Sequence, residues 1–195
     1  MKEKPPMSAY DLLVLALIVG NLFFYTTLFA PTKLRVAVLD VGKEGRVVLI
    51  KSPGGSVVLV NAGPDASILR ALGTEMPPWQ RKIDAVLFTE TSVTAAAGLP
   101  AALERYQIGV LIRPAAQGTR STEALIRAVG TKHNLKQVIM GPRMSLDLGD
   151  KTSISTPSPG GIVISYKKTV LRITKNTPSG AFSSDGETLE RVTPY

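Results

Sequence analysis

Cysteine is absent from the 195-residue chain, and histidine occurs once, as His133. Without cysteine the chain forms neither disulfides nor thiolate metal sites. A zinc site needs several converging nitrogen, sulfur or carboxylate ligands, so a lone histidine between Lys132 and Asn134 is typical of the surface. Aromatic residues make up only 6% of the chain and include a single tryptophan, Trp79, which leaves no stacking platform for single-stranded nucleic acid.

Acidic residues are also few: the chain has 15 of them and 23 lysines and arginines, which gives a formal net charge of +8. Such a balance favours anionic partners such as nucleic acid or an acidic membrane surface. The basic residues are spread along the chain, so they bind a phosphate backbone only if folding brings enough of them onto one face. A solvated basic surface is the alternative.

An apolar stretch of 19 residues without a charge runs from Leu12 to Ala30. As a helix it is roughly 28 Å long, close to the hydrocarbon thickness of a bilayer. A buried core helix is disfavoured because the stretch has no polar face, and a cleaved signal peptide because LFAPT is a poor cleavage site. We predict a short tail at 1–9 and a single transmembrane helix at 10–30. The short tail favours a cell-membrane protein with its domain on the extracytoplasmic side.

The rest of the chain alternates short apolar runs with helical spacing, which predicts a mixed α/β layered domain. RVVLIKS and SVVLVNAG are joined by Pro-Gly-Gly and predict a hairpin in which Gly54 or Gly55 has a positive φ. Asp65 or Ser67 is the expected cap of the helix that follows, and Ser121 the cap of a later one. SLDLGDKTSIST and GGIVISYKKTVLRIT predict a two-sided β region around the GDK turn. The stretch 177–195 is polar and rich in Pro, Gly and Ser, so we predict a loosely ordered tail there.

Several motifs together resemble one family. LDVG after the first strand, VLVNAGPD, ILRALGTEMPPWQRKIDAVLFT and GLPAALERYQIGVLIRP are similar to the metallo-β-lactamase-fold domain of ComEC proteins, the channel proteins of bacterial DNA uptake. The resemblance covers about residues 34–176, which is the predicted domain. It implies an αββα sandwich of two mixed sheets, here incomplete at the C-terminus, on the outer side of the membrane. In complete members it implies a metal-dependent nuclease.

The metal-binding positions that the family implies are occupied here by other residue types. The loop after the strand that ends near Thr89 carries histidines and aspartates in active members, and this sequence has ETSVTAAAGL there. The positions implied to be metal ligands are Asn61, Glu90, Ser92, Thr94, Ala95 and Asn176, with Lys175 beside the last. Hydroxyls and methyls do not replace carboxylates or imidazoles as ligands. We therefore expect no metal, no cofactor and no catalysis.

The prediction from sequence is thus a membrane-anchored, non-catalytic binding or assembly module related to DNA uptake. Its expected partners are the membrane, a DNA backbone bound without sequence preference, and a membrane channel protein. Lys167, Lys168 and Lys175 are the candidate phosphate contacts. The alternative is a metal-dependent hydrolase or nuclease with an atypical site, which needs some of five residues to converge: Asp40, Asp65, Glu90, His133 and Asp185. A relic without selected function is a third possibility.

Overall fold

The computed structural model describes residues 8–29, 33–42, 45–115, 120–141, 144–157, 161–174 and 176–192. The chain divides into two units, Met1–Ala30 and Pro31–Tyr195. The predicted N-terminal tail at 1–9 lies mostly outside the described residues.

The first unit contains one helix, α1 (Ala9–Phe29). Ser8 and Asp11 cap its start reciprocally: the Ser8 hydroxyl accepts from the Tyr10 N–H at 3.4 Å, and the Asp11 carboxylate accepts from the Ser8 N–H at 3.1 Å. The described side chains from Tyr10 to Leu22 are all exposed. In the part of the chain that the structure describes, no helix has both the length and the hydropathy needed to cross a membrane.

The second unit alternates strands and helices in its first half and consists of strands in its second half. Its helices are α2 (Ser67–Glu75), α3 (Val93–Ala96), α4 (Leu99–Arg105) and α5 (Arg120–Lys132). Its strands are β1 (Leu34–Leu39), β2 (Val47–Lys51), β3 (Val57–Val60), β4 (Lys82–Leu87), β5 (Gln107–Pro114), β6 (Lys136–Met140), β7 (Ser145–Asp147), β8 (Thr152–Ser155), β9 (Ile162–Tyr166), β10 (Thr169–Ile173), β11 (Gly180–Ser184) and β12 (Leu189–Val192).

Eight strands form a large mixed sheet in the order β12-β11-β1-β2-β3-β4-β5-β6. The run from β3 to β6 is parallel, and the remaining pairs are antiparallel. The hairpin between β2 and β3 confirms the Pro-Gly-Gly prediction, with Gly55 at φ +86°. Because β3 and β4 are parallel neighbours, the segments that follow them emerge at the same edge of the sheet.

The two faces of the large sheet bury different partners, as the alternation of side chains along a strand requires. On one face, Leu39, Leu49 and Leu59 pack in a cluster with the helices, to which α2, α4 and α5 contribute Ile68, Leu99 and Ile126. On the other face, Val36, Ile50 and Val58 pack in a second cluster against the small sheet. Both faces are buried, which explains the near-continuous apolar runs of β1, β2 and β3.

The small sheet is an antiparallel meander in the order β10-β9-β8-β7. Ile154, Ile164 and Leu171 face the large sheet. The layers are therefore helices, large mixed sheet and small sheet, and the predicted layered α/β class is confirmed. The resemblance implies a mixed second sheet, whereas this one is wholly antiparallel. Since α2 to α5 all contribute to the first cluster, the described part of this unit shows three layers of the αββα sandwich.

The predicted loose tail at 177–195 is wrong for the described part of that segment. β11 pairs antiparallel with β1, from Leu34 opposite Ser184 to Val38 opposite Gly180, and β12 pairs with β11. The cause is tertiary: β1 offers a strand edge, and β11 buries Ala181 on one face while Phe182 packs on the other. The polar residues from 180 to 192 therefore lie in the two strands and in the turn between them.

Two predicted helix caps also differ from the structure. Ala66 is the N-cap of α2 and makes no side-chain capping bond, while the Asp65 carboxylate accepts from the Ser67 N–H at 2.8 Å. The first described residue of α5 is Arg120, so Ser121 lies within the helix and not before it. The start of α2 thus lies within one residue of its predicted place, a difference no larger than that between methods of assigning helix ends.

Candidate functional site

The candidate site is a platform at the carboxyl ends of two central strands of the large sheet. It is formed by segment 61–63 after β3 and segment 88–96 after β4. We call it the strand-end platform. The ladder extends into it, because the Asn61 N–H donates to the Leu87 carbonyl at 2.9 Å and the Phe88 N–H donates to the Ile112 carbonyl at 2.8 Å. The edge of a sheet beyond the carboxyl ends of its strands is the usual place for chemistry in α/β proteins.

Asn61 ties three segments of the platform together. It lies in the left-handed region at φ 61°, a conformation that asparagine adopts more readily than most residues, and its side chain is buried. Its amide Nδ2 donates to the Arg46 carbonyl at 3.1 Å and to the Thr89 hydroxyl at 3.1 Å. Its Oδ1 accepts from the Thr89 N–H at 3.0 Å. An ionised aspartate has no proton for the Arg46 carbonyl, so this environment fits the amide and not a metal-binding carboxylate.

Glu90, Ser92 and Thr94 form a hydrogen-bonded chain across the loop. The Ser92 hydroxyl donates to Glu90 Oε1 at 2.9 Å, and the Ser92 and Thr94 hydroxyl oxygens lie 3.0 Å apart. All three residues are half-buried. The single carboxylate of the platform is thus bonded to a hydroxyl two residues away, which makes it part of the loop's own structure.

Ala95 fills its position with a buried methyl group, and its backbone holds the platform together. The Ala95 carbonyl accepts from the Ala62 N–H at 2.6 Å, and the Gly98 N–H donates to the Gly63 carbonyl at 2.9 Å. A Cβ on Gly98 would overlap the carbonyl oxygens of Ala62 and Asp65. The loop after β3 therefore packs directly, backbone against backbone, on the turn between α3 and α4.

The last predicted position is separate from these contacts. Asn176 follows β10 and is exposed, and no hydrogen bond among the described residues joins it to the loop residues. Lys175 lies outside the described residues. The structure therefore brings together Asn61, Glu90, Ser92, Thr94 and Ala95 on one platform, while Asn176 lies in a turn after the last strand of the small sheet.

Lys167 and Lys168, two of the candidate phosphate contacts, lie in the turn between β9 and β10. Lys167 Nζ donates to the Asp185 carbonyl at 3.1 Å and lies 4.9 Å from the centre of the Tyr166 ring. Lys168 Nζ lies 3.4 Å from Glu187 Oε1, in an ion pair whose side chains are 81% and 74% exposed. Pairs this exposed contribute little to stability, so Lys168 remains available to an anionic partner.

The residues that the hydrolase alternative needs do not converge on one site, and most of their carboxylates accept hydrogen bonds from residues close to them in sequence. The Asp40 carboxylate accepts from the Gly42 N–H at 3.1 Å, and His133 is exposed beyond the end of α5. Hydrogen bonds from the Ser67 hydroxyl and N–H lower the pKa of the Asp65 carboxyl. The N–H groups of Thr188 and Glu187 lower the pKa of Asp185 to about 2. Within the described ranges, no three His, Asp or Glu side chains lie where they could hold a metal ion.

A groove of about 790 Å³ lies elsewhere, between α2 and the β1–β11–β12 end of the large sheet. Arg70, Thr74, Asp40 and Arg191 are among the residues that line it, and none of the platform residues does. Glu75 also lines it and pairs with Arg35 at 3.1 Å. The concave surface and the platform are therefore different places on the domain.

Sequence reasoning missed Thr89, the partner of Asn61. Its backbone N–H and its hydroxyl both bond to the asparagine, and its side chain is buried. Nothing in the sequence joins two residues 28 positions apart unless β3 and β4 are already known to be neighbours. The local signal was only Asn-Ala-Gly after an apolar strand, which suits a left-handed backbone conformation.

No family model matches the chain, and no curated protein does. Among solved structures, the chain is similar to a diphosphatase from the PhnP family, with a TM-score of 0.41 and 15% identity over 71% of this chain and 60% of that one. It is also similar to a metallo-β-lactamase with a HARLDQ motif from Cronobacter sakazakii, with a TM-score of 0.44 and 14% identity over 66% of this chain and 52% of that one. The chain thus spans about half to three fifths of the length of these two proteins.

Proposed function

We propose that this protein is a membrane-anchored, non-catalytic binding or assembly module with a metallo-β-lactamase-like domain, related to DNA uptake of the ComEC kind. The observation that carries the proposal is the chemistry of the strand-end platform. Where the resemblance implies metal ligands, Asn61 bonds to Thr89 and Arg46, and Glu90 bonds to Ser92. These groups satisfy one another, and Ala95 fills the remaining space with a methyl group.

The anchor in this proposal is the segment 10–30, followed by an extracytoplasmic domain. Its support is the uncharged sequence from Leu12 to Ala30, and the exposed apolar side chains from Leu12 to Leu22 on α1. Apolar side chains exposed all around a helix suit lipid rather than water.

The proposed partners are the backbone of DNA and a membrane channel protein. The formal net charge of +8 supports an anionic partner. Lys and Arg contacts to phosphate position a duplex without reading its bases, so the predicted binding is blind to sequence. Its affinity falls with salt, with a log–log slope of about −0.9 for each duplex phosphate neutralised.

The experiment is a titration of the full chain, in detergent or nanodiscs, with two labelled duplexes of unrelated sequence at several salt concentrations. The test variant changes Lys167, Lys168 and Lys175 to Gln. The matched control changes Arg120, Arg127 and Lys132 to Gln. It removes the same number of positive charges from exposed positions on α5. We expect the test variant to weaken binding of both duplexes more than the control does.

Equal losses in the two variants would move the phosphate contact away from the β9–β10 turn and leave only a general basic surface. No binding at low salt would overturn the DNA backbone as a partner and leave the channel protein. A strong preference between the two duplexes would contradict backbone recognition altogether.

A further inference from the structure

The two sheets of the domain end in four edge strands, and one of them differs from the others. β12 carries Glu190 and Arg191 at its centre, β10 carries Arg172, and the three residues of β7 include Asp147. Charges on an edge strand are a common protection against pairing with another chain. β6 has its only charge at its first residue, Lys136, and its central residues are Gln, Val and Ile.

β6 is also accessible on both faces of the sheet. Val138 is 37% exposed and Ile139 is 54% exposed, although consecutive side chains of a strand point to opposite faces. Met140 packs in the cluster between the sheets, so Val138 lies on the small-sheet face and Ile139 on the helix face. Met144, just beyond the strand, is 51% exposed. Among the described residues β6 pairs only with β5, so this regular, apolar edge strand offers its other row of backbone groups to another strand.

Self-pairing of β6 creates no clash of like charges. A two-fold axis perpendicular to the sheet pairs strands antiparallel and keeps each residue on its own face. With Val138 on the axis, all five residues of β6 are paired: Lys136 faces the second copy's Met140, and Gln137 faces its Ile139. The same operation on β12 places Glu190 opposite Glu190 or Arg191 opposite Arg191, which is unfavourable.

We propose that a second copy of this chain docks antiparallel along β6, with Val138 at the two-fold axis, and joins the two large sheets into one continuous sheet. The interface is a five-residue ladder with Val138 packed against its symmetry mate and Ile139 covering the helix face. Because both copies carry a net charge of +8, salt strengthens this association, whereas it weakens phosphate binding.

The absence of cysteine makes the test specific in the full chain. In an antiparallel ladder, opposed Cα atoms lie about 4.5–5.5 Å apart, within the range that a disulfide spans. Val138→Cys should therefore form a disulfide-linked dimer on mild oxidation. Val170→Cys, at a valine that is 54% exposed on β10, is the matched control and should remain monomeric. A mixture of Gln137→Cys and Ile139→Cys chains should cross-link more than either chain alone, which tests the register.

A second measurement does not depend on cysteine. Val138→Asp places two carboxylates on the axis, so it should lower the dimer fraction in sedimentation experiments, while Val170→Asp should leave that fraction unchanged. Circular dichroism shows whether each variant is folded, and the Gln137/Ile139 pair replaces Val138→Cys if that variant is not. Cross-linking of Val138→Cys no greater than that of Val170→Cys, in a folded protein, would overturn the proposal.

Discussion

At the scale of single residues, the strand-end platform depends on close backbone contacts more than on the side chains that replace the expected ligands. Gly98 shows this best. Its φ is −78°, a value open to any residue, so it is required for space and not for conformation. The carbonyls of Ala62 and Asp65 lie where its Cβ would be, and backbone atoms cannot move aside as a flexible side chain can.

Gly98→Ala should therefore destabilise the domain by about 3 kcal/mol, because overlap with fixed backbone atoms costs as much as overpacking a core. Gly73→Ala is the matched control. Gly73 is exposed in the interior of α2 with nothing near its missing Cβ, so alanine should stabilise by about 0.5–1 kcal/mol. Urea denaturation measures both changes. If the two substitutions had effects of the same sign, the proposed packing of the loop on the α3–α4 turn would be wrong.

The residue scale also limits what sequence can predict about the site. The replacement of each implied ligand is visible in the sequence at Asn61, Glu90, Ser92, Thr94 and Ala95. The contacts of these residues cannot be read from the sequence, because the hydrogen bonds of Asn61 to Arg46 and Thr89 arise from strand pairing. The hydrogen bonds that link Glu90, Ser92 and Thr94 join residues close in sequence, yet their geometry depends on where α3 begins.

At the scale of elements, the strands and helices of the first half were predictable because period-2 and period-3.6 patterns are strong there. β11 was not, since its apolar residues Ala181 and Phe182 are adjacent and the rest is Gly and Ser. The buried Ser184 hydroxyl has polar partners, since its oxygen lies 2.9 Å from that of Thr169 and accepts from the Gly186 N–H. Such a partner belongs to the other sheet and has no trace in the local sequence.

The turn between β11 and β12 is held by Asp185, whose Oδ1 accepts from the N–H groups of Glu187 at 2.8 Å and Thr188 at 2.9 Å. These bonds favour the ionised carboxylate and lower its pKa from 3.8 to about 2. A carboxyl whose pKa is lower in the folded state stabilises that state above its unfolded pKa, and the stabilisation is lost as pH falls through the folded pKa.

Asp185→Asn should therefore lower the melting temperature at neutral pH, and the difference from the parent protein should close between pH of about 4 and about 2. Thermal melts followed by circular dichroism across this range measure the effect. Glu190→Gln removes one negative charge from the neighbouring β12 without touching the turn, and it controls for the change in net charge. A difference that stays constant down to the lowest pH would show that the carboxylate does not hold the turn.

At the scale of the whole molecule, the two sheets share one apolar interior, and the turn that carries Lys167 and Lys168 reaches the β11–β12 turn. The Lys168 N–H donates to the Gly186 carbonyl at 3.0 Å, and Lys167 packs against Gly186. Lys167 and Lys168 therefore lie where the small sheet meets the end of the large one. Composition predicts the net charge of the chain, but only the pairing of β11 with β1 places the turn there.

Metal binding is also a property of the whole domain, because the ligands of a metal ion must converge from several elements. Asn61 comes from the end of β3, Glu90 to Ala95 from the end of β4, and Asn176 from the end of β10. A binuclear or mononuclear zinc or manganese site needs carboxylates or imidazoles from these places together. Since only one of these positions carries a carboxylate, Glu90, and the others carry amides, hydroxyls and a methyl, we expect the purified full chain to bind neither zinc nor manganese stoichiometrically.

Elemental analysis after incubation with each metal and removal of the excess measures this directly. Glu90→Ala is the internal control: its carboxylate accepts from Ser92, so its loss should alter the local hydrogen bonding and leave the metal content unchanged. One or two metal ions per chain, reduced in Glu90→Ala, would overturn the non-catalytic proposal and favour the metal-dependent hydrolase. If the parent protein and Glu90→Ala bound the same amount of metal, the ligands would lie outside the loop. Asp40, Asp65, His133 and Asp185 would then be the residues to substitute next.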